Sequence, residues 1–225
     1  SNEASFQVHN YFPPPLIPFV FNLASQNPDI LEQSINHARR AMDLVSDLGG
    51  GVYSFHAGFR IDPKVSELGK NLSTNILSNR DDSLNTFKET VLMLSEEAKN
   101  KGISLLIENN VLSSNNLKKF GDDPLLLTNP NEIVKFMQGM PSNVGILLDV
   151  AHLKVSSYSL GFDLLDATSE IQPWIQGYHL SDNDGSSDSN NVLTNDSWFW
   201  KIIDKKKTYY SIEVYGIDTS ELLDQ

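Results

Sequence analysis

Three times between residues 27 and 152, a stretch with apolar residues spaced by three and four gives way to a short, nearly continuous apolar run. The first stretch opens with Asn27, a helix-capping residue, and Pro28, which suits the first helical position. Leu31, Ile35, Ala38, Met42 and Val45 then share one stripe until Gly49, Gly50 and Gly51 stop it. "GVYSFHAG" follows, β-branched and aromatic, as a buried strand should be. In the second pair Leu84, Phe87, Val91, Leu94 and Ala98 form the stripe and "ISLLIENN" the strand; in the third, "TNPNEIVKFMQGM" is the helix and "NVGILLDVAH" the strand. "ASFQVHNYF", "WIQGYHLSD" and "TYYSIEV" read as three further strands, with "DSWFWKIIDKKK" as a helix between the last two. The proline-rich "YFPPPLIPF" is expected to form a rigid loop, either a lid or pocket wall on the rim or an ordinary packed surface loop. Apolar strands alternating with helices require a mostly parallel sheet covered by those helices, so the predicted class is α/β with six strands.

The chain has 225 residues, 40% of them hydrophobic and 20% charged, enough for one substantial core, and residues 1–225 are expected to form a single domain. With no cysteine, disulfides and thiolate metal sites are excluded, so any metal must be held by His, Asp or Glu. No run approaches the roughly 20 apolar residues of a membrane span, and the N-terminus carries no basic region before an apolar core; a soluble, cytoplasmic protein is expected. The formal net charge of −12 opposes attraction to a phosphate backbone, which argues against a nucleic-acid partner.

The polar residues have a pattern of their own. His9, His56, Glu108, Asp149 with His152, His179 and Glu213 all fall at or near the C-terminal end of a predicted strand, and of the five histidines only His37 lies in a predicted helix. In a parallel sheet those ends share one rim, where ligands of parallel α/β folds bind. Singly, each residue has an ordinary explanation as a hydrogen-bonded core histidine or a helix-capping carboxylate. Gathered together with few basic residues among them, they would repel one another and lose hydration unless a cation neutralised them. Mixed nitrogen and oxygen donors suit Mn²⁺, Zn²⁺, Co²⁺ or Mg²⁺.

In the order "FHAG", "LLIENN", "LLDVAH", "YHLSDNDG", "SIEV", the chain resembles the xylose isomerase-like TIM-barrel superfamily, which holds sugar and sugar-phosphate isomerases and epimerases together with metal-dependent apurinic endonucleases. The resemblance implies a (β/α)8 barrel with a divalent metal on Glu108, Asp149, His179 and Glu213, and His152 contacting substrate. It further implies an isomerase or epimerase of a sugar or sugar phosphate, with Glu108 and Glu213 as acid–base pair in an enediolate reaction. The endonuclease branch implies a multi-metal cluster that also draws on His9, His56 and His152, with metals activating water against a phosphodiester. Two departures bear on substrate. After His179 the Asp-x-His pair of the endonucleases is missing, since the loop has Asp188 and Asn191 but no histidine, and the Arg that ketohexose epimerases place six positions after the strand-end His is Gly185. A small-molecule carbohydrate is therefore the expected substrate. The alternatives are an endonuclease-like phosphodiesterase and a catalytically degenerate barrel used for binding or assembly. Asp182 and Asp184 could orient His179 or bind sugar hydroxyls, and Lys154 could meet a substrate phosphate or carboxylate.

A complete barrel of this kind takes about 250 residues. The resemblance starts at what matches the third strand of the superfamily, so about two βα units are expected to be missing from the N-terminus. Six strands leave unpaired edges. The expectation is either a fragment of a longer protein or an incomplete barrel whose open edge is covered in a homo-oligomer. "GIDTSELLDQ" reads as the opening turns of a further helix.

Overall fold

In a computed structural model of the chain, which describes residues 7–67, 76–207 and 209–216, the alternation becomes six strands and six α-helices among those residues. The chain forms two compact units. One comprises Ser1–Ile107, Pro124–Leu126 and Gly139–Gly145, and the other Glu108–Asp123, Leu127–Gln138 and Ile146–Gln225.

In the first unit, β1 (Val8–His9) and β2 (Gly51–His56) pair in parallel with His9 opposite Ser54. The strand order continues through the first residues of β3 (Ile103–Glu108) and β4 (Val144–Asp149). Helices α1 (Pro28–Asp47) and α2 (Arg80–Asn100) cover these strands in the chain order expected. Each begins where an asparagine side chain accepts orphan backbone N–H groups, Asn27 from Asp29 and Asn79 from Asp81 and Asp82. The stripes bury Ala38, Met42 and Val45 of α1 and Phe87, Val91, Leu94 and Ala98 of α2. Gly49 and Gly50 take positive φ values of 100° and 86°, which stops α1 and turns the chain into β2.

In the second unit the order runs from the C-terminal ends of β3 and β4 to β5 (Ile175–Leu180) and β6 (Tyr209–Ile212). Both β4–β5 and β5–β6 are parallel, with Asp149 opposite His179 and His179 opposite Ser211. Helices α3 (Ser114–Phe120), α4 (Pro130–Met137), α5 (Val150–Leu160) and α6 (Leu164–Ile171) complete the unit. Its core includes Leu147, Leu148, Leu153, Ile171, Ile175, Tyr178 and Phe199, all essentially inaccessible. Each such apolar side chain stabilises the fold by roughly 1.5–3 kcal/mol relative to exposure. The architecture is the expected parallel α/β fold of TIM-barrel type, with six strands among the described residues. No helix among them is long and apolar enough to cross a membrane.

Several local expectations are corrected. "NVGILLDVAH" is not strand throughout: β4 ends at Asp149 and α5 starts at Val150, because the Asp149 carboxylate accepts the His152 N–H at 2.7 Å and caps a new helix. His152 therefore sits in a first helical turn, and among the five histidines two, not one, lie on helices. The helix expected across 196–207 is a single 3₁₀ turn, Trp198–Lys201, in which only Phe199 is buried. The three lysines 205–207 that follow offer no apolar face to extend it. Helices α3 and α6 were not anticipated, although Ser113 and Asp163 cap them. Strand β1 is shorter than expected, with residues 4–6 outside the described residues, as are Thr208 and most of the C-terminal segment read as a helix, residues 217–225.

Candidate metal centre

Parallel strands place chemistry at one end by construction. His9, His56, Glu108 and Asp149 are the last residues of their strands, His179 is the next to last of β5, and Glu213 follows β6 by one position. In the first unit His9 and His56 come together, with ring centroids 5.5 Å apart in an edge arrangement and His9 Nδ1 2.9 Å from Ser54 Oγ. In the second unit Glu108, Asp149, His152, His179 and Glu213 converge.

His179 is the hub of that second group. Its Nδ1 lies 3.1 Å from Glu108 Oε1 and 3.0 Å from Glu213 Oε1. Its Nε2 lies 3.3 Å from the Tyr209 hydroxyl. Tyr209 can stand there because its register partner on β5 is Gly177. A Cβ on that glycine would come within 2.6 Å of Tyr209 Cδ1 and 2.9 Å of its Cβ. A glycine two residues before the histidine thus admits the ring that reaches the histidine's far nitrogen.

Asp149 and His152 are held by Asn109, the residue after β3. The Asn109 amide accepts from Asp149 N–H at 2.8 Å and donates to the Asp149 carbonyl at 3.1 Å, while its own carbonyl lies 2.9 Å from His152 Nδ1. The other imidazole nitrogen, Nε2, lies 3.2 Å from Asp188 Oδ2 and 3.7 Å from Asp149 Oδ2.

Burial decides the electrostatics. Glu108, Asp149 and His179 are each at most 2% exposed, and Glu213 is partly covered. Burial pushes the Asp149 carboxyl up to about 7, against the pull of His152 and with the help of Glu108. Burial also raises Glu213, His179 opposing and Glu108 adding to the effect. For His179 and His152 burial works against the charged form, yet both are raised, His179 by Glu108, Glu213 and Asp149, and His152 by Asp149, Asp188 and Glu108. Every shift points one way: burial raises the carboxyls and the surrounding carboxylates raise the imidazoles, so this pocket favours bound protons, and a dication would supply positive charge in their place. Glu108, Asp149, His179 and Glu213 each offer one ligand atom, all within 4.8 Å of one another. One imidazole with three carboxylates is a donor set that fits Mn²⁺, Mg²⁺, Co²⁺ or Zn²⁺.

Of the remaining sequence candidates, Lys154 on α5 donates to Asp182 Oδ1 at 2.7 Å and to the Asn183 carbonyl. Burial opposes ionisation of Asp182, but the Lys154 ammonium holds its carboxyl below the usual range. These two tie the loop after β5 to α5. Asn109 and Tyr209 were missed, and Asp188 was noted only as part of a departure from one branch. Asn109 follows a candidate carboxylate directly, a signal that could have been used; Tyr209 and Asp188 carry none, since each acts on a residue about 30 or more positions away.

A family model described as xylose isomerase-like TIM barrel matches residues 3–216. Among solved structures, the chain is similar to a D-tagatose 3-epimerase-like protein, with a TM-score of 0.71 and 20% identity over 99% of this chain and 77% of that one. It is similar to an L-ribulose 3-epimerase at a TM-score of 0.62 and 17% identity over 91% of this chain and 62% of the other. For the D-psicose 3-epimerase of Clostridium cellulolyticum H10 with D-tagatose the TM-score is 0.60 and the identity 14%, over 88% of this chain and 62% of the other. At these identities the likeness is one of fold.

Proposed function

This chain belongs to the xylose isomerase-like TIM-barrel family, and from that membership we propose that residues 1–225 act as one domain, a divalent-metal-dependent isomerase or epimerase of a sugar or sugar phosphate. The observation that carries the reading is that Glu108 and Glu213 both reach one imidazole nitrogen, 3.1 and 3.0 Å from His179 Nδ1. The named functions of the structural neighbours, D-tagatose 3-epimerase-like protein and L-ribulose 3-epimerase, agree with it.

Glu108, Asp149, His179 and Glu213 would hold the metal. When bound, a divalent ion supplies positive charge for the carbonyl and adjacent hydroxyl oxygens of a sugar, which makes the neighbouring C–H acidic enough to ionise. The chain's own residues do the rest. One of Glu108 and Glu213 takes the proton from the carbon beside the carbonyl, and the other returns a proton to the enediolate. Burial favours this work at Glu213, because a carboxylate raised above its ordinary range is a stronger base than an exposed one. His152 is fixed at Nδ1 by the Asn109 carbonyl and faces Asp188 with Nε2, so it would hydrogen-bond a substrate oxygen only where that oxygen takes the place of the Asp188 carboxylate. Asp149 would help hold the metal, and its carboxylate accepts the His152 N–H and so fixes the start of the helix that carries His152.

The test is turnover and metal content of Glu108→Gln and Glu213→Gln. Each substitution should lower turnover by about 10² to 10⁴-fold, the usual contribution of a general acid or base. Deuterium uptake from heavy water at the carbon beside the carbonyl should fall in parallel. Undiminished turnover in either variant rules out that residue as acid or base.

A further inference from the structure

Beyond His179 and Glu213 the second unit has an open groove of about 520 Å³ that includes Asp182, Asp184, Asn191, Thr194 and Tyr215 in its lining. Its size lies within the range of small-molecule sites, about 300–1,000 Å³. Asp182 is three residues past His179 and Tyr215 two past Glu213, so the groove begins within about 7–10 Å of extended backbone from the candidate metal centre. That is the span of one further sugar ring.

The walls are preformed. Asp182 and Asn191 exchange two backbone hydrogen bonds of 3.0 and 2.7 Å, and the Tyr215 N–H donates to the Asn190 carbonyl at 3.0 Å. Asn183 spans from this loop to the Ala151 carbonyl at 3.0 Å. A ligand would therefore bind with little ordering of the loop.

The chemistry selects the ligand. Tyr215 is 72% exposed, an aromatic face left in water beside hydrogen-bonding groups. A pyranose has an apolar C–H face that such a ring can cover, with hydroxyls around its rim for the Asp184 carboxylate, the Asn191 amide and the Thr194 hydroxyl. Asp184 is held ionised by the Ser186 hydroxyl and N–H, which lower its carboxyl below the usual range. Among the described residues lining the groove there is no Lys, Arg or His. The nearby Lys154 ammonium is occupied by Asp182 and Asn183. A phosphate or carboxylate would meet two aspartates there and no compensating cation.

We propose that this groove receives an uncharged glycosyl unit, so that the substrate is a glycoside or disaccharide with its carbonyl-bearing unit at Glu108 and Glu213, and not a sugar phosphate. The proposal rests on the isomerase or epimerase reading above.

The experiment compares three ligands on the Mn²⁺-supplemented full chain by calorimetric titration: fructose, fructose 6-phosphate and lactulose, a neutral disaccharide with a ketose unit. Lactulose is expected to bind about tenfold tighter than fructose or better, a difference of about 1.4 kcal/mol. Fructose 6-phosphate should bind no tighter than fructose. Tyr215→Ala, at an exposed position, should abolish the lactulose advantage and leave fructose unchanged. Loss of the advantage in the unaltered chain, its survival in Tyr215→Ala, or a preference for the phosphate overturns the proposal. Deuterium uptake is measured on the same samples. Exchange without a Tyr215-dependent advantage defeats the groove assignment alone. Binding with that advantage but no exchange defeats the catalytic reading and leaves a glycosyl site; absence of both defeats the two together.

Discussion

Asp149 and His179 are register partners on the adjacent parallel strands β4 and β5. Two residues thirty positions apart thereby project from the same face at the same height, each ending or nearly ending its strand. A slip of one residue in this pairing would send one of them to the opposite face. The candidate metal centre thus depends on strand register before it depends on side-chain chemistry.

Metal affinity is expected to rise with pH between 6 and 8. The Asp149 carboxyl, pushed up to about 7, and the raised His179 imidazole both hold protons that a metal must displace. Calorimetric titration with Mn²⁺ at pH 6, 7 and 8 checks this, and a flat profile contradicts the ligand set. At a hundredfold excess of metal over Kd, the fold should gain about 2.7 kcal/mol, read as a higher Tm that a chelator reverses.

Tyr209→Phe should weaken metal binding by about 10-fold or more, as loss of a hydrogen bond that orients a ligand imidazole commonly does. Gly177→Ala should have a similar effect by another route, because the added methyl would come within 2.6 Å of the Tyr209 ring. Overpacking of that kind destabilises by about 1–3 kcal/mol. Metal affinity and urea unfolding of both variants give the two readouts; normal affinity in Tyr209→Phe would remove the hydroxyl from the site.

Asp188→Asn should lower turnover by about tenfold while metal content stays near that of the unaltered chain, since Asp188 touches the His152 ring and is outside the four-donor group. Metal loss in this variant would instead place Asp188 among the ligands. The paired measurement of metal content and kcat separates these outcomes.

The contribution of His37 to stability should fall as the solution is acidified below about pH 6.5, while the raised Asp149 and Glu213 carboxyls act with the opposite sign. Burial lowers this imidazole below its ordinary value, the Asn10 carbonyl opposing and Arg40 adding to the effect. It sits against Tyr11, Phe19 and Phe21. A histidine lowered in the fold protonates first in the unfolded chain, so its contribution is present above the unfolded value, about 6.5, and is lost as pH falls through the folded one. His179 and His152, both raised, act with the opposite sign in the metal-free chain: their contribution is present below about 6.5 and fades as pH rises through their folded values. Comparing Tm from pH 5 to 8 in the unaltered chain and in His37→Phe isolates the His37 part, and identical slopes would show that it has none.

Much of this molecule was legible in the order of its residues. Asn27, Pro28 and Gly49 mark the ends of α1, the apolar runs at 103–108 and 144–149 are the strands they resemble, and Glu108, Asp149, His179 and Glu213 stand at strand ends as expected. Such signals act between near neighbours in the chain, where backbone sterics, caps and period suffice. Tertiary structure alone decided that Asp149 ends a strand and starts a helix, that Gly177 leaves room for the Tyr209 ring, and that Asp188 in a loop reaches His152. Those choices depend on pairings between segments tens of residues apart, whose partners are defined only once the strands have aligned and excluded water from between them.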